Sequence, residues 1–140
     1  MKIVDAIKEP DYKKKIIKHA KEALIVGIGV WTSEVKSAYE ITRLIKNNTN
    51  APVVWGGWHS TLFPEQIIND PLIDYAIAGE GEYSFVELVR SLQENKDLSK
   101  IKGLLYKKNG KMHRNPKSEK FVNLNSLPKL DFSLVDVEKY

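Results

Sequence analysis

At 140 residues, 42% hydrophobic and 29% charged, the chain has the size of one globular domain with its own core. It contains no Cys, which excludes disulfides, thiolate nucleophiles, cysteine-bound zinc and iron–sulfur clusters. No apolar run nears the ~20 residues of a membrane span, and the acid-bearing start "MKIVDAIKEPD" has no signal-peptide core. The default expectation is a cytoplasmic protein with no membrane contact.

In chain order, "KIVDA" (2–6) is a short apolar strand candidate. An amphipathic helix follows from near Asp11, with Tyr12, Ile16, Ala20 and Ala23 at helical spacing. "ALIVGIGV" (23–30) is a continuous apolar run, the pattern of a strand buried on both faces. Residues 32–48 read as a helix with Val35, Ala38, Ile41 or Thr42, and Ile45 on one stripe, and with Thr32 or Ser33 as its cap. "APVVWGG" (51–57) is the next strand, and Pro64 opens a short helix ending near Asn69. "IDYAIAGEGE" (73–82) is a further strand. Residues 83–95 form a helix with Phe85, Leu88, Val89 and Leu92 inward and a Ser84–Glu87 capping box.

This β-α alternation predicts an α/β fold, with a parallel sheet of about four strands covered by helices on both faces. Two strand-like runs around Asn109–Gly110 then predict a β-hairpin. The tail has no period and reads as a locally packed linker. The expected organisation is 1–98 as the α/β domain, 99–120 as a hairpin extension of it, and 121–140 as the linker.

Net charge is +4, and residues 100–120 hold eight Lys or Arg against the single acid Glu119. Such a stretch is either a solvated hairpin or a contact for an anionic partner. Nucleic acid is disfavoured, because aromatic interleaving stops at Tyr106 and no recognition motif is present.

Open parallel sheets bind ligands outside the carboxyl ends of their strands. Three glycine-bearing segments fall at such ends here: "GIGVWT" (27–32), "GGWHST" (56–61) and "GEGE" (79–82). The Gly56–Gly57 pair fits either close approach of a ligand to the backbone or a tight turn. "GIGVWT" lacks the third glycine of a dinucleotide fingerprint, since Thr32 stands there. Glu80 and Glu82 are either an acid/base couple or carboxylates favouring a helix dipole. His59 is either a metal ligand or a hydrogen-bonding, packing residue. No catalytic residue and no protein-held metal are assigned.

Together, "VVWGGWHSTLFPEQII", "IDYAIAGEGEYSFVELV", "IKGLLYKKNGK" and "LNSLPKLDF" resemble the N-terminal cobalamin-binding domain of radical SAM enzymes. These are the Fe–S oxidoreductase, or anaerobic magnesium-protoporphyrin ester cyclase-like, group. The resemblance covers nearly the whole chain. It implies a flavodoxin-like (Rossmann-like) fold, a corrinoid lying across the strand ends, and a radical SAM barrel in the parent protein as partner domain. Carried over residue by residue, Gly56 and Gly57 match the pair that lets the nucleotide tail pass. Gly29, Val30 and Trp31 fall where relatives show Ser-x-Leu; glycine replaces the serine, and Thr32 offers a substitute hydroxyl. Trp58, His59, Ser60 and Thr61 would line the same loop, while Gly79, Glu80, Gly81 and Glu82 would flank the corrinoid edge or brace the loop.

The sequence departs from that pattern twice. The DxHxxG loop, whose histidine ligates cobalt from below, is absent together with the first β-α unit, so cobalamin is expected base-off with no His ligand. The cluster-binding CxxxCxxC motif is also absent, so no Fe–S cluster or SAM is expected in this chain. The reading is a fragment or stand-alone remnant with no activity of its own, and with a sheet edge left open to form a homodimer. The rivals are a degenerate domain acting as a protein-interaction module and, less favoured, a small nucleotide binder.

Overall fold

The computed structural model describes residues 1–6, 9–118, 121–129 and 131–134. Strands β1 (Val26–Gly29), β2 (Val53–Gly56) and β3 (Tyr75–Ile77) run parallel, while β4 (Leu104–Lys108) and β5 (Lys111–Arg114) are antiparallel. All five form one mixed sheet in the order β1-β2-β3-β4-β5. Helix α1 (Tyr12–Ala20) precedes β1, and α2 (Val35–Asn48) joins β1 to β2. Helices α3 (Trp58–Leu62) and α4 (Pro64–Asn69) join β2 to β3, and α5 (Glu82–Glu94) leads from β3 toward the hairpin.

Alternation along the strands sorts side chains into two cores. Val53, Trp55, Ala76 and Leu105 point to one face, where Ala20 of α1, Ala38 and Ile45 of α2, and Ile67 and Ile68 of α4 cover them. Val54, Ile77, Leu104 and Tyr106 point to the other, under Leu88 of α5 and Ile101. Of the stripe read from periodicity, Ala38, Thr42 and Ile45 are buried on α2, while Val35 and Ile41 are half-buried beside them. Asp74 fixes the entry to β2: its Oδ2 accepts from Val53 N at 2.7 Å and from Lys46 Nζ at 2.6 Å.

The α/β, Rossmann-like class read from the sequence is the fold observed, with local corrections. Residues 2–6 are not a strand, so the parallel part has three strands, and the hairpin extends the same sheet. Asn109 and Gly110, with φ of 53° and 72°, make the two-residue turn that returns β5 along β4. β1 is an edge strand, half-buried at Val26 and Ile28 and exposed at Gly27 and Gly29, not a strand buried on both faces. Neither Thr32 nor Ser33 caps α2; a 3-10 turn over Thr32–Glu34 precedes it, and no side chain bonds its N-terminus. Ser84 lies inside α5, where its hydroxyl donates to Lys102 O at 2.7 Å instead of capping. Within the linker expected over 121–140, 3-10 turns form at Leu124–Ser126 and Phe132–Leu134, and residues 130 and 135–140 lie outside the described residues.

Candidate functional site: the carboxyl edge of the parallel strands

The three glycine-bearing segments meet at one sheet edge. Gly29 and Gly56 are register partners at the ends of β1 and β2, and Gly79 follows β3. A Cβ built on Gly29, Gly56 or Gly79 would meet nothing within 4 Å, so the three strand ends open onto free space. They form a shelf whose floor is backbone.

Gly57 is different. Its φ is +90°, and a Cβ there would lie 3.0 Å from Val30 N and 3.1 Å from Val30 O. The lack of a side chain lets the fully buried Val30 pass against the turn, which is the tight-turn reading of the glycine pair. Val30 N donates to Gly56 O at 2.9 Å, and Val30 O accepts from His59 N at 3.0 Å.

α3 rises directly from that turn and carries two bridging side chains. His59 is 7% exposed, its Nδ1 is 3.3 Å from Thr32 Oγ1, and its ring lies 5.1 Å from that of Phe63. Thr61 Oγ1 donates to Gly57 O at 3.0 Å and accepts from Gly79 N at 2.9 Å. Ser60 is fully buried, and its hydroxyl has no partner among the described residues. Trp31, just after β1, and Trp58, the first residue of α3, are 64% and 59% exposed, an unusual state for two indoles. The sequence treats "GGWHST" as loop, because a five-residue helix is too short to show a period.

The third segment turns toward the tail. The Glu80 carboxylate accepts from Val122 N, and Tyr83 Oη shares a hydrogen bond with Ser126 Oγ at 2.7 Å. Lys117 Nζ donates to Thr61 O at 3.4 Å. Gly81 precedes α5, and Glu82 occupies its first turn. The tail contacts through Lys117, Val122 and Ser126 had no signal in the sequence, since they join segments far apart in the chain. Among the described residues, no group of three or more His, Asp or Glu is placed to hold a metal, and no helix is long and apolar enough to cross a membrane. Two concavities lie elsewhere, one around Asn48–Pro52 and one around Ser91–Leu98. The carboxyl edge is thus an open shelf, floored by glycine and flanked by two exposed indoles.

Residues 1–89 match the family model "B12 binding domain". An uncharacterised methyltransferase of Pyrococcus horikoshii is 38% identical over 144 residues, taking in 100% of this chain and 31% of its own length. The anaerobic magnesium-protoporphyrin IX monomethyl ester cyclase of Synechocystis is 24% identical over 129 residues, covering 91% of the chain and 26% of the cyclase. The chain therefore spans about a third or less of the relatives it matches. Among solved structures, the radical S-adenosylmethionine methyltransferase TsrM of Kitasatospora setae, with cobalamin and a 4Fe–4S cluster bound, superposes with a TM-score of 0.68 at 25% identity. That match covers 87% of this chain and 24% of TsrM. By its sequence match over residues 1–89, and with the fold that accompanies it, this chain belongs to the B12-binding domain family.

Proposed function

We propose that the chain is the cobalamin-binding module of a radical SAM-type enzyme and performs no catalysis alone. The observation that carries this reading is the open shelf at Gly29, Gly56 and Gly79, in a chain of the B12-binding family. Glycines at the ends of β1 and β2 and two residues beyond β3 let a broad, flat ligand approach the backbone, which a Cβ there would hinder. Trp31 and Trp58 supply exposed aromatic surface beside that floor. Thr32, Thr61 and the Gly79–Glu82 segment bound it.

Within this reading the corrinoid is held base-off, without a histidine under the cobalt. His59 is the histidine of the edge, and it is buried with its Nδ1 turned to Thr32. When bound, the corrinoid would supply group-carrying chemistry; this chain's residues bind and orient it. The radical SAM parent enters by likeness to TsrM, a radical S-adenosylmethionine methyltransferase with cobalamin and a 4Fe–4S cluster bound.

Titration with hydroxocobalamin, followed by its visible spectrum, tests the proposal. A saturable spectral shift at protein concentrations up to about 100 μM is expected. The absence of any shift would overturn it in favour of an interaction module without cofactor.

A further inference from the structure

The five-residue helix α3 reaches both neighbouring loops with side chains from a single turn. His59, anchored through its own N–H to Val30 O at 3.0 Å, meets Thr32 Oγ1 on the β1 side. Two residues on, Thr61 Oγ1 accepts from Gly79 N on the β3 side while donating to Gly57 O behind it. Gly79 has φ +97° and no side chain to fix its position, so the bond from Thr61 is a direct constraint on where that loop sits. The β1, β2 and β3 ends are therefore joined in series above the sheet, where strand pairing no longer holds them.

We infer that α3 is the brace setting the spacing of the three loops, and that His59 and Thr61 are positioning residues for the ligand shelf. The inference rests on the cobalamin reading for the ligand, though not for the geometry. Neither side chain needs to touch the corrinoid. Each fixes a loop whose glycine backbone forms the floor. A planar ligand spanning three loops needs all three at one height, and a loop released on either side lowers affinity through the cost of re-ordering it on binding.

The test uses the full 140-residue chain and three variants: T61V, which keeps shape and removes the hydroxyl; T61S, which keeps the hydroxyl; and H59A. Hydroxocobalamin affinity is measured with urea stability and with amide exchange in the ligand-free chain. T61V and H59A are each expected to weaken binding about tenfold or more, with the spectrum of the bound corrinoid unchanged. T61S is expected to restore wild-type affinity. Without ligand, exchange at Gly79 should accelerate in T61V and remain slow in T61S. Unchanged affinity in both T61V and H59A, in a wild-type chain that binds, would overturn the brace. So would a changed cobalt spectrum in H59A, since His59 would then be a ligand. If the wild-type chain binds no corrinoid, the cobalamin reading fails by itself, and slow Gly79 exchange lost only in T61V still supports the brace. Should T61V fail to fold, T61A takes its place in the comparison with T61S.

Discussion

The indole Nε1 of Trp55 donates to Thr42 Oγ1 at 2.9 Å, and that hydroxyl donates onward to Ala38 O at 2.8 Å. Both residues are fully buried, so the polar edge of the largest core side chain is satisfied by one turn of α2. Thr42→Val keeps the shape and strands the indole N–H in the core. A loss of ~1–3 kcal/mol is expected, read as a lower urea midpoint at unchanged slope. Thr42→Ser should recover most of it.

The adjacent glycines should separate fold from ligand. Gly57→Val puts a β-branched side chain at φ +90° against Val30 and is expected to cost at least ~1–3 kcal/mol in strain alone. Gly56→Val points into open space and should leave the melting temperature nearly unchanged while weakening hydroxocobalamin binding. Equal melting of the two variants would contradict this assignment. Gly103→Ala should be worse than Gly57→Ala, because its Cβ would lie 2.3 Å from Ala78 O at φ +69°.

Tyr39 ties stability to alkaline pH. Burial, then its hydrogen bond to Asp70 at 2.8 Å, pushes its phenol up from 10.0 to about 12. Above pH 10 the unfolded chain loses this proton while the folded one keeps it. The contribution is therefore whole below pH 10 and is lost as pH rises toward 12. Urea midpoints should fall over that window, and Tyr39→Phe should flatten the fall.

The two sheet edges are protected unequally. β5 presents Lys111 and Arg114 on a fully exposed strand, whereas β1 carries only Val, Gly and Ile. Val26 N and Val30 N donate toward β2, so strand alternation turns the Gly27 N–H to the open side. Charged edges resist strand addition and uncharged ones invite it. We expect concentration-dependent dimers in sedimentation through β1. Gly27→Pro, which removes the outward donor, should shift them to monomer.

How much of this was legible depended on whether a feature was local. The apolar stripe of α2, with Ile41 or Thr42 left open, and the Asn109–Gly110 turn were readable because each is decided within a few residues. The apolar run at 23–30 revealed a strand but not its neighbours, so its place at the edge was hidden. "KIVDA" had the composition of a strand and lacked a partner. At the shelf, glycine spacing marked the three loops, yet it is three-dimensional packing that separates Gly57, against Val30, from Gly56, open at the end of β2. His59 reads from sequence as ligand or packing residue, and what only the fold adds is its neighbour, Thr32 Oγ1 at 3.3 Å from Nδ1.

The order β1-β2-β3-β4-β5 also bears on how quickly the molecule can assemble. Each strand pairs with the one next in sequence, so no pairing has to await a distant segment. Every loop-closure cost is confined to a single intervening helical connection or turn. Parallel sheets are ordinarily slow to form because their pairings are remote along the chain. Here the sheet can be laid down strand by strand from β1 as the chain lengthens, with the hairpin arriving last to close the far side.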